Sequence, residues 1–528
     1  MNKELNYLAG LAGRGHMDRR AFFGRAAALG ASTVLTTSLF NNAVLAAGPR
    51  KGGTMKLGVS GGQTSDSLDP ALAANNVAFS VLRLYGDALV DVTADGSLDY
   101  RLVTDIKPSS DATVWTFTIR NDVSFHNGAK MTPEDVAATL KRHLNPDAKS
   151  GAFGVLQSIS GVEVSGGDVV VTCKEPNADL PFILSDYHLV IQPGGGVDAP
   201  DAGIGTGPYK VTRSEHGVQY NFEKFADYYD DTRAHVDAIE LTVVNDETAR
   251  VSALQSGQVH IVNGIPPKVA GLMERVPTVD VHSIGGRGFY CMNMFTNTAP
   301  FDNNDLRLAL KYALDREQMV EQILYGHGTL GNDTPINAAY PFFSSDIPQR
   351  AFDPEKAAEH YKKSGHSGPI VLRTAETAFP GAIDAAQLFQ NSAAKCGITI
   401  EIKREPNDGY WSEVWNKQPF HMSYWGGRPT QDSMFSTAYY STAEWNDTRF
   451  NNAEFDKKLL TARGETDQAK RKGLYHDMGM LLRDEGGLIV PMFNNWLEGS
   501  SKDVAGWVDD PNQVLSNGYA AVKTWLIS

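Results

Sequence analysis

The run VWTFTIRNDVSFHNGAKMTPEDV, residues 114–136, holds a strand pattern followed closely by a helix start. Trp115, Phe117 and Ile119 alternate with polar residues, so a strand here would place all three apolar side chains on one face. Residues 132–135 then combine a capping threonine, a proline suited to the first helical turn and two acids that favour a helix N-terminus. The segment therefore predicts one strand and one helix of a mixed α/β fold.

Short strand patterns and helical patterns alternate along the rest of the chain. Residues 54–59 predict a strand, residues 302–319 predict one continuous helix, and residues 382–402 predict a helix, a C-cap glycine and a strand. The chain has 528 residues, and domains of about 150 residues suggest roughly three structural units. We find no internal repeat and no low-complexity linker. The sequence predicts a large α/β protein with more than one lobe.

The first 46 residues have the features of an export signal. Arg19 and Arg20 begin a twin-arginine pattern, residues 26–40 form a mildly apolar run, and small residues around Ala46 suit a signal peptidase. The apolar run is shorter and more polar than the roughly 20 residues that a membrane span needs. Gly48 stands where a lipoprotein would need its cysteine. We expect export by the twin-arginine route, cleavage near Ala46 and an unlipidated protein in the periplasm.

The charge of the chain argues against a nucleic-acid partner. The net charge is −14, and removing residues 1–46, with five basic and two acidic side chains, takes it to about −17. No basic run follows the signal, and an acidic surface repels phosphate backbones and anionic lipids. We therefore expect no nucleic acid among the partners of this protein.

Neither metal nor cofactor chemistry has a motif in this sequence. Cys173, Cys291 and Cys396 lie far apart and match no metal-binding spacing. In an oxidising compartment one pair of them could form a disulfide, but the sequence does not indicate which; buried, inert thiols are the alternative that we favour. The sequence contains no H-E-x-x-H, C-x-x-C or P-loop motif. We expect no cofactor.

One motif formally matches a catalytic nucleophile. GVSGG, residues 58–62, fits the G-x-S-x-G elbow of α/β hydrolases, with Ser60 as the nucleophile. That elbow needs a helix directly after the turn, and residues 63–70 have no helical pattern. A secreted hydrolase using Ser60 is the alternative function. The glycine-rich residues 203–209 are followed by a strand pattern, which favours a turn between subdomains over a phosphate-binding loop.

Aromatic residues beside polar turns suggest a binding surface in the second half of the chain. Aromatic walls with a few placed polar groups are typical of small-molecule sites, although core packing explains many such residues equally well. The aromatic residues are Tyr410, Trp411, Trp415, Tyr424, Trp425, Tyr439, Tyr440 and Trp445.

Several stretches, in order, resemble solute-binding protein family 5, the peptide, nickel and opine class of periplasmic substrate-binding proteins of ABC transporters. The resemblance covers essentially the whole chain after the export signal. The stretches are residues 67–70 (SLDP), 115–136, 205–209 (GTGPY), 254–259 (LQSGQV), 300–302 (PFD) and 307–316.

The resemblance implies a large type II periplasmic-binding-protein fold with two lobes that close on a solute. The first lobe would hold residues 48–290 and 497–528, with an extra subdomain at about 85–203, and the second lobe would hold residues 291–496. It also implies that the protein captures a solute and delivers it, unchanged, to an ABC permease and its ATPase in the inner membrane. We expect the protein to be a monomer.

One position departs from the peptide-binding members of that family. Those members resemble W-x-x-D where this chain has residues 425–428, Trp-Gly-Gly-Arg. The family's aspartate would hold the α-ammonium of a peptide, whereas Arg428 would repel it and would bind a carboxylate or phosphate in a two-pronged contact. We predict a solute with an acidic group: an opine or other amino-acid conjugate, a polycarboxylate, or a short peptide bound in reverse. Alternatively, Arg428 pairs with Asp432 or another acid and braces the loop.

Further ligand-binding candidates follow from family position. They lie after the first strand, near the subdomain boundary, at the two crossings between the lobes and in the aromatic wall. These candidates are Asn75, Asn76, Tyr187, His188, Arg287, Tyr290, Trp411, Trp425, Phe493 and Asn494.

Overall fold

The computed structural model describes residues 3–13, 17, 19–32, 35, 36, 39, 43, 48–406, 410–443 and 445–527. The side chains of Lys3, Arg19, Trp411 and Ser412 lie outside this description, as does the predicted cleavage site near Ala46. Among the described residues, no helix is both long and apolar enough to cross a membrane. All three cysteines are buried, and burial raises the pKa of the Cys173 thiol to about 11.

The strands form one large sheet, a four-stranded sheet and two short pairs. They are β1 (Thr54–Val59), β2 (Val90–Val92), β3 (Leu98–Tyr100), β4 (Val103–Pro108), β5 (Val114–Ile119), β6 (Ile159–Ser165), β7 (Asp168–Cys173), β8 (Tyr209–Glu215), β9 (Gln219–Lys224), β10 (Ala238–Val243), β11 (Ile261–Val262), β12 (Val279–Met294), β13 (Gly328–Leu330), β14 (Ile370–Thr374), β15 (Ile400–Arg404), β16 (Phe420–Trp425), β17 (Leu488–Ser501), β18 (Val504–Ala505) and β19 (Trp525–Leu526).

The helices pack against strands of the large sheet, against the four-stranded sheet and against one another. They are α1 (Lys3–Gly13), α2 (Arg19–Ala28), α3 (Asn76–Tyr85), α4 (Pro133–Leu144), α5 (Phe153–Leu156), α6 (Leu180–Ile183), α7 (Glu247–Gln255), α8 (Pro267–Met273), α9 (Asn304–Tyr312), α10 (Arg316–Gln322), α11 (Pro354–Ser364), α12 (Ala382–Ala394), α13 (Tyr410–Glu413), α14 (Gln431–Ala438), α15 (Ala453–Gly464), α16 (Gln468–Glu485) and α17 (Ala520–Lys523).

The segment that opened the sequence analysis folds as predicted. In β5 the residues alternate between half-buried and buried, with Trp115, Phe117 and Ile119 facing the core. At the start of α4 the Thr132 hydroxyl accepts a hydrogen bond from the Asp135 backbone, and the Asp135 carboxylate accepts one from the Thr132 backbone. This reciprocal cap satisfies two backbone N–H groups that a helix start otherwise leaves unpaired. Helix α4 and the sheet β4-β5-β7-β6 share one core.

The predicted continuous helix at residues 302–319 is wrong, because the structure has two helices there. Helix α9 ends at Tyr312 and α10 begins at Arg316. Between them the Asp315 carboxylate accepts the backbone N–H of Gln318 and caps a new helix. An aspartate that binds nearby backbone favours a helix start over a helix interior. The helix and strand predicted at residues 382–402 are confirmed, with the strand beginning at Ile400 and Gly397 left-handed at a φ of 74°.

Two long strands lie side by side in the large sheet. The large sheet has the order β15-β14-β16-β12-β17-β11-β1-β10-β9-β8, with β13 added beside β17. Strands β12 and β17 pair antiparallel over most of their length, and their register shifts between Gly285 and Phe289. Separate hydrophobic clusters lie on either side of this shift, one around β1 and α3 and others around the far halves of β12 and β17. We therefore predict a hinge at the register shift between β12 and β17.

Candidate functional site

Arg428 lies in a short loop that packs against the strand irregularity. The loop follows β16, which ends at Trp425, and precedes α14, which begins at Gln431. Gly427 has a φ of 81°, and a Cβ atom there would lie 2.4 Å from the Cβ of Arg287. Only glycine tolerates both this backbone conformation and this close approach. The glycine therefore brings the backbone of Arg428 next to Arg287.

The Arg428 guanidinium has one hydrogen bond and no ion pair within the described part of the chain. Its Nη1 donates to the carbonyl of Gly427 at 2.7 Å, and its Cζ lies 5.4 Å from the ring centroid of Trp425. Its backbone N–H donates to the hydroxyl of Tyr340 at 3.0 Å. Burial lowers the pKa of Arg428, opposed by the charges of Tyr340, Asp186 and Tyr187. Arg428 is thus a half-buried cation that has no counter-ion among the residues described.

The predicted alternative, an ion pair between Arg428 and Asp432, is wrong. Asp432 instead pairs with Arg463, whose Nε lies 3.2 Å from Asp432 Oδ1. Asp432 is on the first turn of α14 and Arg463 is near the end of α15, so this pair joins these two helices. Loop bracing by Asp432 therefore does not explain Arg428.

A second arginine, Arg287, lies within the irregular part of β12. Its side chain is 3% exposed, its Nε donates to the carbonyl of Ala339 at 3.0 Å, and its Cζ lies 5.2 Å from the centroid of the Tyr340 ring. Burial lowers the pKa of Arg287. No carboxylate of the residues described lies within ion-pair distance of it. Both arginines therefore flank the same tyrosine.

Tyr187 lies near Arg428, and His188 lies beside Tyr187. The ring of Tyr187 stacks on that of His188, with centroids 4.0 Å apart. Burial raises the pKa of Tyr187, and the charge of Arg428 opposes this shift, as expected for groups that face each other. The two nitrogens of His188 contact Asp186 Oδ1 at 2.6 Å and the carbonyl of Ala73 at 2.8 Å. Burial lowers the pKa of His188, but Asp186 outweighs it and the net shift is upward. His188 therefore positions Tyr187 instead of offering a free nitrogen.

The two asparagines after the first strand have different surroundings. Asn75 caps α3 by accepting the backbone N–H groups of Val77 and Ala78, and its amide donates to Asp66 at 2.6 Å. These bonds occupy the polar atoms of Asn75. Asn76 is the first residue of α3 and is half-buried. A role in ligand binding stays a prediction for both.

The remaining candidates divide between the sheet faces. Tyr290 is half-buried and stacks on Phe379 with centroids 4.2 Å apart. Phe493 is a buried core residue that packs against Phe289, whereas the neighbouring Asn494 is half-buried. The structure thus brings Arg287, Arg428 and Trp425 together; the side chain of Trp411 lies outside the described residues.

A buried acid that the sequence analysis missed holds the aromatic wall. Oδ2 of Asp447 accepts hydrogen bonds from the indoles of Trp415 and Trp425, at 3.0 and 3.1 Å, and from the amide of Asn293 at 2.8 Å. The side chain of Asp447 is fully buried, and its Oδ1 has no hydrogen-bond partner. Burial raises the pKa of Asp447 to about 7. Nothing in the neighbouring sequence distinguishes this aspartate from a surface acid.

Replacing Asp447 with asparagine is expected to stabilise the protein above neutral pH. Between about pH 4 and pH 7 folded Asp447 keeps a proton that the unfolded chain has lost, so its contribution to stability falls as the pH rises. An amide keeps an acceptor for the indoles and cannot ionise. At about 1.4 kcal/mol per pKa unit the gain reaches roughly 4 kcal/mol by pH 8. Urea unfolding of wild type and Asp447→Asn at pH 5 and pH 8 measures the difference in their free energies of unfolding. If that free energy changed equally with pH in the two proteins, the prediction would be contradicted.

The Ser60 motif lacks the contacts of a nucleophile. Strand β1 ends at Val59, and no residue from Ser60 to Asp69 is helical. The Ser60 hydroxyl donates to the amide oxygen of Asn263 at 3.3 Å. An amide oxygen is a poor general base, because it is hardly basic at neutral pH.

Glycines explain the GTGPY turn. A Cβ atom at Gly205 would lie 2.4 Å from the carbonyl oxygen of Tyr85, and one at Gly207 would lie 2.4 Å from the backbone nitrogen of Gly86. The turn therefore packs directly on the end of α3, backbone against backbone. This arrangement supports the predicted turn between subdomains.

Residues 178 and 179 contact the helices α15 and α16 at a second place. Asp179, in a loop of the four-stranded subdomain, pairs with Arg471 of α16 at 2.6 Å, and both side chains are buried. Beside them the backbone N–H of Ala178 donates to the carbonyl of Arg463 at 2.8 Å. We call these contacts the interlobe latch. It joins residues 178 and 179 to the helices α15 and α16.

Known proteins share this architecture. Residues 97–447 match the family model described as "Bacterial extracellular solute-binding proteins, family 5 Middle". The glutathione-binding protein GsiB of Salmonella choleraesuis (strain SC-B67) is 24% identical over 481 residues, which cover 88% of this chain and 93% of GsiB.

Two solved structures have the same fold. AgaA from A. tumefacien R10, in complex with agropinic acid, is 25% identical with a TM-score of 0.75, over 90% of this chain and 99% of AgaA. The periplasmic binding protein DppA from Helicobacter pylori, in complex with the peptide STSA, is 20% identical with a TM-score of 0.76, over 91% of this chain and 99% of DppA. The predicted two-lobed fold is confirmed.

Proposed function

Because the chain belongs to family 5 of the bacterial extracellular solute-binding proteins, we propose that it binds a small peptide-like solute or amino-acid conjugate with an acidic group. It delivers this solute to an ABC permease and its ATPase. In this proposal the twin-arginine signal directs it to the periplasm, where it acts as a monomer. Residues 48–290 and 497–528 form one lobe, and residues 291–496 form the other.

The observation that carries the acidic solute is the isolated guanidinium of Arg428. A half-buried cation without a counter-ion among the residues described has lost part of its hydration, and an anion bound beside it offsets that cost. Its two-pronged donor geometry matches a carboxylate. The names of the relatives fit this chemistry, since GsiB is named for glutathione and AgaA was solved with agropinic acid. A short peptide in reverse orientation, an opine and a polycarboxylate all supply the anion.

The proposal is binding without chemical conversion. The alternative, a hydrolase that uses Ser60, needs a general base beside the hydroxyl, and the polar contact found there is the amide of Asn263. A hydrolase would turn over ester or peptide substrates and lose that activity in Ser60→Ala. We expect no turnover in either protein.

Closure of the lobes is the mechanical part of the proposal and gives its test. A solute that contacts both lobes binds the closed form better and shifts the population towards it. Small-angle scattering should show a smaller radius of gyration when the protein is saturated with its solute. An unchanged radius at saturation would argue against this function.

The interlobe latch gives a matched variant for the same measurement. Arg471→Met leaves the Asp179 carboxylate buried without a partner in the closed form, so closing becomes less favourable. At the same sub-saturating solute concentration we expect the variant to contract less than wild type, and we expect its affinity for the solute to be about tenfold weaker, since binding is coupled to closing. Lys458→Met, which removes an exposed pair with Asp477 on the same helices, should change neither quantity. Equal radii and affinities for Arg471→Met and wild type would show that the latch has no role.

A further inference from the structure

Arg287, which is buried, and Arg428, which is half-buried, differ from the other buried arginines that lack an acidic partner among the residues described. Arg250 uses all three guanidinium nitrogens on backbone carbonyls of Val244, Asn245, Asn263 and Gly264. Arg307 likewise donates to two carbonyls, at 2.6 Å each. Arg287 and Arg428 each make a single side-chain hydrogen bond within the described chain, through Nε and Nη1 respectively. Each guanidinium carries five N–H donors, so most of theirs are available to a ligand.

The backbone segments that carry the two arginines pack against each other. Because Gly427 has no Cβ, the main chain can pass against Arg287. Both arginines contact Tyr340: the backbone N–H of Arg428 donates to its hydroxyl, and the guanidinium of Arg287 lies over its ring. A guanidinium does not lose its proton in a protein. Two cations without an acidic partner among the residues described therefore project from adjoining backbone segments, Arg287 from β12 and Arg428 from the loop after β16.

The acids around this pair are already engaged. Asp186, which faces Arg428, is in contact with His188 at 2.6 Å. Asp510, which acts on Arg287 from the C-terminal segment, accepts hydrogen bonds from the backbone and the amide of Asn512 at 2.9 and 2.7 Å. A monoanionic solute would neutralise one guanidinium and leave the other unpaired. Two anionic groups would neutralise both.

We infer that the solute carries two carboxylates, one bound by Arg287 and one by Arg428. This inference rests on the proposed function and narrows it from an acidic solute to a dicarboxylate. Arg287 lies in the hinge and Arg428 in the second lobe, so a dicarboxylate held by both would also fix the loop of residues 426–429 against β12. Each arginine then recognises its own carboxylate, which makes the two contacts separable by experiment.

Glutathione and its glycine monoethyl ester are suitable probes, because the first has two carboxylates and the second has one. Calorimetric titration should show that the ester binds wild-type protein roughly thirtyfold more weakly, the effect of removing one partner of a desolvated charge pair. Arg287→Met and Arg428→Met should each weaken glutathione binding to a similar extent. The variant that lacks the arginine bound to the glycine carboxylate should bind glutathione and the ester equally, because the ester changes only that carboxylate. Arg287→Lys should recover part of the loss.

Arg250→Met is the control for removing a buried arginine, and it should lower the melting temperature while leaving glutathione affinity unchanged. Full affinity in Arg287→Met with a large loss in Arg428→Met would overturn the dicarboxylate inference and leave the proposed function intact. Equal binding of glutathione and its ester by wild-type protein, or binding of neither, would also overturn it. If both Arg287→Met and Arg428→Met kept full glutathione affinity, the proposal of an acidic solute would be refuted as well.

Discussion

Arg428→Ala is expected to weaken solute binding by roughly thirtyfold or more while the melting temperature of the empty protein hardly changes. The variant leaves an anionic group of the solute buried and unpaired, which typically costs about 2–5 kcal/mol, and 1.4 kcal/mol is roughly tenfold in affinity. In the empty protein Arg428 contributes one side-chain hydrogen bond, to the carbonyl of the preceding residue. Its removal therefore costs the fold little. Calorimetric titration and a melting curve measure the two effects.

Two further substitutions at this position separate charge from geometry. Arg428→Lys should recover only part of the affinity, since an ammonium cannot make the two-pronged contact. Arg428→Asp introduces the acid of the peptide-binding members and should abolish binding of the native solute. If the loop were only braced by Arg428, all three variants would lose thermal stability and keep their affinity. That pattern would contradict the anion-binding role.

Asp333→Asn is expected to destabilise the protein by about 3–5 kcal/mol, the usual cost of breaking a buried ion pair from one side. Asp333 is fully buried and pairs with Arg316 at 2.6 Å and with Arg350 at 2.9 Å. Its backbone φ of 56° is one that asparagine also adopts, so the change removes charge without backbone strain. Beside it, burial lowers the pKa of Lys311 to about 7. An uncharged residue 333 would leave this cationic group without its central anion.

Asp484 supplies the matched control in the same network. It pairs with Arg350 at 2.7 Å, but its side chain is 42% exposed. Solvent screens such a pair, so Asp484→Asn should cost about 1 kcal/mol or less. Urea unfolding measures both variants, and solute affinity should be unchanged in each because this network lies outside the cleft. Equal stabilities of the two variants would show that burial does not set the contribution of Asp333.

The elements that the sequence predicted correctly are those fixed by neighbours along the chain. Strand β5 follows from alternation and α4 from its Thr-Pro-Glu-Asp start. The error at residues 302–319 has the same origin, because apolar periodicity continued across an aspartate that caps a second helix. Asp315 fits both a helix surface and a helix cap, and only the hydrogen bond to Gln318 distinguishes them.

The residues of the candidate site also differ in whether their neighbours along the chain indicate them. The sequence predicts a role for Arg428 because this residue replaces an acid within a short motif. The tight approach of Gly427 to Arg287, the indole contacts of Asp447 and the latch of Asp179 with Arg471 join residues far apart in sequence. Their residue types are ordinary when the chain is viewed alone. Such contacts become visible only when the fold brings their partners together.

Native mass spectrometry of protein purified from the periplasm tests the central claim most directly. We predict one small molecule bound per chain, released unchanged on denaturation and carrying carboxylate groups that methyl esterification reveals. The same preparation of Arg428→Ala should be empty. A neutral or cationic solute, or an acidic one retained equally by Arg428→Ala, would contradict the account.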